Sequence, residues 1–391
     1  MANKMKKQIC VIGLGNIGLP TACILATLGY KVLGVDIDKK VIDRVRSCNL
    51  ISSEPKLQDL LKKAIESGNL KVSMKILPAE VYIIAVPTLI SKNNQPEISC
   101  VNAVIAAISP HLKDNDLVLI ESTCPIGTTK AIAKKLKNIC PLVNVSYCPE
   151  RVFPGNIFYE LIHNDRIVGG VDKASTSQAE TFYRSFVKGE VIATDSCVAE
   201  AVKLAENSYR DVNIAYANEL SMISDQIGLD VKELIFLANK HPRVQILDPG
   251  VGVGGHCIAI DPWFLVSSAP KDAILTSKAR ETNIRKTNWV IQKIRDEIKK
   301  NNSRKVACFG LTYKPDVSDI RESPALTIVQ TLEKEMEVIC VDPYVPNTHE
   351  PCDAINQADI IIGLVAHREF LKISNDDLKG KIVLDFAGVF K

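Results

Sequence analysis

An apolar run from Gln8 to Ile12 leads straight into Gly13-Leu14-Gly15-Asn16-Ile17-Gly18, and a helical pattern opens directly behind it. Glycines at the first, third and sixth places of such a segment allow a tight turn, backbone approach to a pyrophosphate, and close contact between helix and strand. The helix that follows offers free N–H groups and the positive end of its dipole to phosphate oxygens. The arrangement demands a strand–turn–helix unit, and it makes Gly13, Gly15, Asn16, Ile17 and Gly18 candidate dinucleotide ligands. Asp36 closes the next apolar run, about 20 residues on, where a carboxylate accepts hydrogen bonds from ribose hydroxyls and repels a 2′-phosphate. The expected cofactor is therefore NAD rather than NADP.

The same alternation continues. Apolar runs at Gln8–Ile12, Lys31–Asp36, Val81–Val86, Leu117–Glu121 and Asn144–Tyr147 read as strands, and 17–28, 39–46, 101–108 and 128–136 read as helices. Near-continuous apolar strands between amphipathic helices imply a parallel sheet covered on both faces. Two further strands, 166–168 and 191–193, are expected to complete this domain. Residues 197–227 contain neither proline nor glycine, and Ala199, Val202, Ala205 and Tyr209 recur at helical spacing, so one long helix ending at Gly228 is expected. Helices at 231–238 and 273–300 follow, then strands at 305–309, 338–341, 360–364 and 382–385. The α/β fold expected is two Rossmann-like doubly wound domains joined by a long helix and a mainly helical central region. Its boundaries fall at 1–195, 196–300 and 301–391, and a cleft between the α/β domains is the natural ligand site.

Composition narrows the function. The net charge of the 391-residue chain is only +3, with acids and bases interleaved, which argues against a nucleic-acid binder. Met5-Lys6-Lys7 before an apolar run resembles the start of a secretory signal, but Gly13, Gly15, Gly18 and Pro20 interrupt the run. No apolar stretch reaches the roughly 18 residues that span a bilayer. A cytoplasmic protein without a membrane partner is expected. The twelve cysteines include no C-x-x-C pair, so no metal site is expected. Cys10, Cys23, Cys308 and Cys340 lie among apolar neighbours and read as buried thiols.

One cysteine has different surroundings. Cys257 follows the glycine-rich Gly252-Val253-Gly254-Gly255-His256, and Asp261 lies four residues on. A helix opening after Gly255 would favour the thiolate and set Asp261 on the same face, making Cys257 a nucleophile. The residues alone fit a buried structural thiol equally well. His256 reads as structural, because adjacent helical residues point apart. Thr88 and Thr123 follow strand ends, where ligands of such sheets bind, and serve either a ligand or a local cap. Lys203, Asn207 and Arg210 share one helical stripe whose ordinary reading is a solvated face.

In combination, Gly13–Gly18, Ser122–Thr128, Pro149-Glu150-Arg151, Ala201–Arg210, Gly254–Asp261 and Gly310–Pro324 resemble the UDP-glucose and UDP-mannosamine dehydrogenase superfamily along essentially the whole chain. The His256-Cys257 loop, Pro149–Gly155, His241-Pro242-Arg243 and Asp261-Pro262-Trp263-Phe264 look like the branch acting on UDP-N-acetyl-D-mannosamine. UDP-N-acetyl-D-glucosamine and UDP-glucose are the alternative substrates, and a binding protein without catalysis is the alternative class. The resemblance implies NAD-dependent, four-electron oxidation at C6 through a Cys257 thiohemiacetal and thioester. It assigns Lys203 to acid/base chemistry and oxyanion stabilisation, Asn207 to the same oxyanion, and Asp261 and Glu150 to proton transfer or water activation. It implies substrate binding by Arg151, Val152, Lys203, Asn207, Arg210, His241, Arg243, Gly254, Tyr313 and Lys314. Arg321 would contact the cofactor, with Thr88 and Thr123, and the long helix would form a homodimer or higher homo-oligomer. Relatives often carry a basic residue before Gly-Val-aromatic at the C-terminus; Ala387 stands there in this chain.

Overall fold

The computed structural model describes residues 7–50, 56–91, 93–152 and 155–390. Met5, Lys6, Phe153 and Pro154, which figured in the sequence reading, lie outside them. The chain divides into two compact units, 1–205 with 263–268, and 206–262 with 269–391.

The first unit is built on an eight-stranded sheet. Its strands are β1 (Gln8–Ile12), β2 (Lys31–Val35), β3 (Leu70–Ser73), β4 (Val81–Ile84), β7 (Leu117–Ile120), β8 (Asn144–Tyr147), β9 (Arg166–Gly170) and β10 (Val191–Asp195). β5 (Leu89–Ile90) and β6 (Pro96–Glu97) form a separate short hairpin. The order β10-β9-β8-β7-β4-β1-β2-β3 contains the six-strand dinucleotide-binding arrangement, with β1 in the middle. The apolar runs sit at its centre because both faces are covered: Ile9 and Val11 belong to one buried cluster, Cys10 and Ile12 to the other. The expectation of an all-parallel sheet fails at one place. β9 runs antiparallel to β8, pairing Tyr147 with Gly169 and Ser146 with Gly170.

Helices α1 (Gly18–Thr27), α2 (Lys39–Arg46), α4 (Ser99–Ile108) and α5 (Thr128–Lys137) lie where amphipathic spacing placed them. Strand β3 and helices α3 (Leu57–Glu66), α6 (Ile157–His163) and α7 (Lys173–Arg184) are additions. β3 escaped notice because only Leu70 of its four residues is buried, so it carries almost no apolar pattern. Asp36 lies just beyond β2 rather than within it.

Helix α8 (Ser196–Ile227) has the expected length and ends at Gly228 with φ +75°. Its buried face differs from the apolar stripe read from the sequence: Tyr209 is 73% exposed, while Glu200, Ser208, Asp211 and Asn218 are buried. α9 (Val231–Ala238), α10 (Asp261–Ser268) and α11 (Ile274–Asn301) complete the central part. In the second unit α8 and α11 meet through polar groups. Asp211 Oδ1 accepts from Arg280 Nη1 and Asn283 Nδ2, both at 2.7 Å, and Asn283 Oδ1 accepts from Asn218 Nδ2 at 2.9 Å.

The second unit carries a four-stranded parallel sheet, order β12-β11-β13-β14, from β11 (Lys305–Phe309), β12 (Glu337–Val341), β13 (Ile360–Gly363) and β14 (Ile382–Asp385). Helices α12 (Pro324–Leu332) and α13 (Pro351–Gln357) accompany it. Val306 and Cys308 face one core cluster, Ala307 and Phe309 the other. Cys340 is only half-buried, contrary to its apolar sequence surroundings. The terminal Val389 and Phe390 are buried, and their amides bond the Asp385 carboxylate, so the segment carrying Ala387 is an anchored part of this unit.

Candidate functional site

Gly13 caps β1 with φ +93°, and its amide bonds the Val35 carbonyl at 2.8 Å, tying the turn to β2. A Cβ on Gly18 would lie 1.8 Å from the Gly13 carbonyl oxygen, so the start of α1 presses against the turn. At Gly15 nothing lies within 4 Å of such a Cβ, and Asn16 is exposed, which leaves room above the helix N-terminus. Asp36 holds the turn as well: its Oδ2 accepts from Leu14 N and its Oδ1 from Asp38 N, each at 2.9 Å. The residues therefore fit a dinucleotide, with phosphates on the open turn and a ribose on the half-exposed Asp36.

Thr88 and Thr123 follow β4 and β7, and neither hydroxyl has a hydrogen-bond partner among the described residues. The local work falls to other groups. Ser122 Oγ donates to Val86 O at 2.7 Å, and the Glu200 carboxylate accepts from Gly127 N and Thr129 N at the start of α5. Both threonines thus remain available to a ligand.

The second unit repeats the turn chemistry of the first. Gly310, φ +92°, donates to Val341 O at 2.8 Å, and Leu311 N donates to Asp342 Oδ2 at 2.6 Å. Here the carboxylate is closed off: Asp342 is buried and also bonded to His367 Nε2 at 3.0 Å, so it shapes the loop and cannot serve a ribose. His367 Nδ1 accepts from Asp316 N at 3.0 Å, which fixes the far end of the segment carrying Tyr313 and Lys314. Tyr313 then supports the cysteine loop. A Cβ on Gly254 would lie 3.0 Å from the Tyr313 Cβ and 2.3 Å from the Glu322 carbonyl oxygen, and Gly255 N bonds Arg321 O at 3.3 Å.

Cys257 is exposed at the end of this loop. The helix expected after Gly255 begins only at Asp261, preceded by a turn at 258–260. Cys257 instead stands ahead of that helix, its carbonyl accepting from Ile260 N at 3.1 Å and Asp261 N at 2.8 Å. The link between Cys257 and Asp261 is thus a backbone hydrogen bond at the head of α10. The buried Asp261 carboxylate accepts from Asn207 Nδ2 at 2.5 Å, which joins α8 to the cysteine turn. His256 is half-buried, its Nε2 has no partner among the described residues, and burial with the nearby Arg321 cation holds its basicity below the ordinary imidazole value. Arg321 pairs with Asp319 at 2.8 Å through Nε, an ion pair that keeps its side chain beside the loop.

In the first unit Lys203, one turn before Asn207 on α8, donates from Nζ to the Glu150 carbonyl at 2.7 Å. Glu150 is buried. Its Oε1 accepts from Arg151 N and Val152 N, and its Oε2 accepts from Arg166 Nη1 at 3.1 Å. Arg210 on α8, and His241 and Arg243 on the turn after α9, are exposed and form no ion pair among the described residues. The Arg210 and Arg243 guanidinium groups are open to an anion. The sequence reading missed Arg166, Glu200, Asp342 and His367, whose only signal is a charged or polar residue set at the edge of an apolar run.

A dinucleotide turn on one sheet and an exposed cysteine in a glycine loop, its carbonyl bonded to the Ile260 and Asp261 amides, fit a pyridine-nucleotide oxidoreductase. Residues 7–187 match the NAD binding domain of the UDP-glucose/GDP-mannose dehydrogenase family, 197–285 its central domain, and 307–391 its UDP binding domain. The chain belongs to this family and is an NAD-dependent UDP-sugar dehydrogenase. It is 47% identical to the UDP-N-acetyl-D-mannosamine dehydrogenase of Methanocaldococcus jannaschii, over 99% of this chain and 93% of the relative. It is 42% identical to an NDP-N-acetyl-D-galactosaminuronic acid dehydrogenase of Ralstonia nicotianae, over 98% and 96%. Among solved structures, the UDP-D-ManNAc dehydrogenase from Pyrococcus horikoshii superposes with TM-score 0.93 at 39% identity, covering 98% of this chain and 96% of that one.

NAD binding gives the first local prediction. Asp36→Ala removes both the carboxylate that fits a ribose and the clamp on Leu14. It should raise KM for NAD about tenfold, the loss of a charge-assisted hydrogen bond, and narrow the preference over NADP. Initial rates with each cofactor measure this.

Proposed function

We propose that the chain oxidises UDP-N-acetyl-D-mannosamine at C6 to UDP-N-acetyl-D-mannosaminuronate. The observation that carries this reading is the exposed Cys257 at the head of α10, tied through Asp261 to Asn207. The names of the Methanocaldococcus and Pyrococcus proteins support the sugar. NAD, when bound, accepts a hydride at each of the two oxidations. The balance is one alcohol, two NAD and one water giving one carboxylate, two NADH and three protons.

Lys203 places a positive charge at the alkoxide that develops as each hydride leaves, and Asn207 donates a hydrogen bond to the same oxygen. The Cys257 sulfur attacks the aldehyde carbon to form a thiohemiacetal, which the second oxidation turns into a thioester. Water then releases the carboxylate and regenerates the thiol. Asp261 takes or returns a proton at this step, and Glu150 Oε2, which accepts from Arg166 Nη1, also accepts from a water. Arg151, Val152, Arg210, His241, Arg243, Gly254, Tyr313 and Lys314 are proposed to bind the UDP-sugar, the cations meeting the diphosphate. Arg321, Thr88 and Thr123 are proposed to complete the NAD site.

We further propose a homodimer through α8. Tyr209, Tyr216 and Ile223 recur every seven residues with exposures of 73, 52 and 46%, and Ile227 extends the stripe at 61%. Such a stripe is a self-association surface rather than a solvated face. A cytoplasmic setting is supported by twelve free thiols, and no helix among the described residues is long and apolar enough to cross a membrane.

Incubation with a panel of UDP-sugars, with product mass and NADH counted together, tests the reading. UDP-N-acetyl-D-mannosamine should give the highest kcat/KM and two NADH per carboxylate. Equal or faster turnover of UDP-glucose or UDP-N-acetyl-D-glucosamine would overturn the choice of sugar.

A further inference from the structure

Behind the turn at 150–152 lies a buried polar group that none of the proposed steps uses. Arg166 opens β9, Glu121 follows β7, and Tyr183 lies on α7; they are 4, 4 and 1% exposed. Because β9 runs antiparallel to β8, continuing the pairing of Tyr147 with Gly169 sets Arg166 opposite Glu150. The contacts then form a chain. Arg166 Nη1 donates to Glu150 Oε2 at 3.1 Å, Glu150 Oε1 receives the Arg151 and Val152 amides at 2.7 and 2.8 Å, and the Glu150 carbonyl receives Lys203 Nζ at 2.7 Å.

A second carboxyl supports the arginine from behind. The Arg166 guanidinium lies 5.5 Å from the centre of the Tyr183 ring, and the Tyr183 hydroxyl donates to Glu121 Oε1 at 2.7 Å. Glu121 Oε2 has no partner among the described residues. Burial raises the Glu121 carboxyl to about 7, against the pull of Arg166 and with the help of Glu150. Burial also pushes the neighbouring Cys148 thiol to about 12, so it stays neutral. Facing Glu121 are thus one permanent cation, one carboxylate, a phenol and a neutral thiol.

An ion pair at this depth is a weak source of stability, since desolvation offsets most of the attraction, and apolar residues of the same volume would do as well. What such a pair supplies is direction. We propose that Arg166 is a positioning residue for the oxidation: by clamping the Glu150 carboxylate it fixes the turn at 150–152, and through the Glu150 carbonyl it aims the Lys203 ammonium. Tyr183 and Glu121 hold the plane of its guanidinium. The inference rests on the role proposed above for Lys203.

Arg166→Lys keeps the charge but replaces a planar fork with a single ammonium. With whichever UDP-sugar turns over best, this variant should lose about tenfold or more in kcat, the cost of a misplaced catalytic group, while KM for NAD stays within about threefold. Its kcat–pH profile should shift, because the Lys203 ammonium has lost its fixed acceptor. Wild-type kcat and pH profile in a folded Arg166→Lys protein would overturn the inference. So would a loss of activity that merely follows a lower folded fraction.

Tyr183→Phe keeps the ring and frees Glu121, so it serves if Arg166→Lys does not fold. Losing the phenol's hydrogen bond raises the Glu121 carboxyl further and leaves it unheld, so at alkaline pH the ionised Glu121 then competes with Glu150 for Arg166. That variant should match the wild type at pH 6 and run about fivefold slower at pH 8.5; equal rates at both would count against the proposal. Lys203→Met separates the two readings. Full turnover in it would overturn the role of Lys203 itself, whereas lost turnover beside an unaffected Arg166→Lys would overturn only the positioning role.

Discussion

Cys257→Ser should form no carboxylate at a measurable rate, a fall in kcat on the order of a thousandfold or more, or about 4 kcal/mol of barrier. A thiol is a few per cent ionised at neutral pH and is a strong nucleophile, whereas a serine hydroxyl is neither without a dedicated base. Asp261 N donates to the Cys257 carbonyl, and the Asp261 carboxylate accepts from Asn207 Nδ2. The exchange removes little volume from an exposed position, so the fold and both dissociation constants should stay within about threefold of the wild type. Rapid-quench product analysis with titration of NAD and the UDP-sugar measures both. Carboxylate formed at the wild-type rate would end the covalent mechanism.

The largest effect on stability is expected at Asp211. It is fully buried and accepts from Arg280 Nη1 and Asn283 Nδ2, each at 2.7 Å. Burial nevertheless raises the Asp211 carboxyl above its ordinary value despite the attraction of Arg280. For this carboxylate, desolvation therefore outweighs the attraction. Breaking the pair is another matter. Asp211→Ala leaves the Arg280 guanidinium buried without a counter-charge and should cost about 3–5 kcal/mol, read from the midpoint of urea unfolding. Asp211→Leu with Arg280→Met removes both charges and should return to within about 1 kcal/mol of the wild type. Activity should not recover with it. Asn283 loses its acceptor, and Asn218, whose Oδ1 holds Gly250 N at 2.9 Å at the start of the cysteine loop, loses its fixed neighbour. A kcat several-fold low in a protein of wild-type stability would show that the buried polar contact between α8 and α11 serves the loop.

Much of the framework was legible because it rests on short-range rules. Strands such as β1 and β4 are apolar throughout, since both faces of a central parallel strand are covered, and α2 and α9 appear with their limits unchanged. The glycine turn, Asp36, and the isolation of Cys257 in a glycine loop required only local spacing. The start of α10 was misplaced because the turn at 258–260 has no sequence mark separating it from helix. The buried face of α8 was misread for a deeper reason. An apolar pattern identifies a helix face only when the face is apolar, and α8 buries Glu200, Asp211 and Asn218 against partners from 65 to 73 residues away.

The sequence by itself determined a dinucleotide turn, a cysteine set apart in a glycine loop, and the ordered motifs that resemble the UDP-sugar dehydrogenases. Tertiary structure alone decided which charges are buried and what they touch. Arg166 is the plainest case. If β9 ran parallel to β8, as the apolar pattern led one to expect, its first residue would lie at the opposite end of the sheet from Glu150. The reversal of β9 puts a cation behind the turn that receives Lys203. Strand direction depends on how connections cross the sheet and on which faces they must cover, and no local spacing along the chain records it.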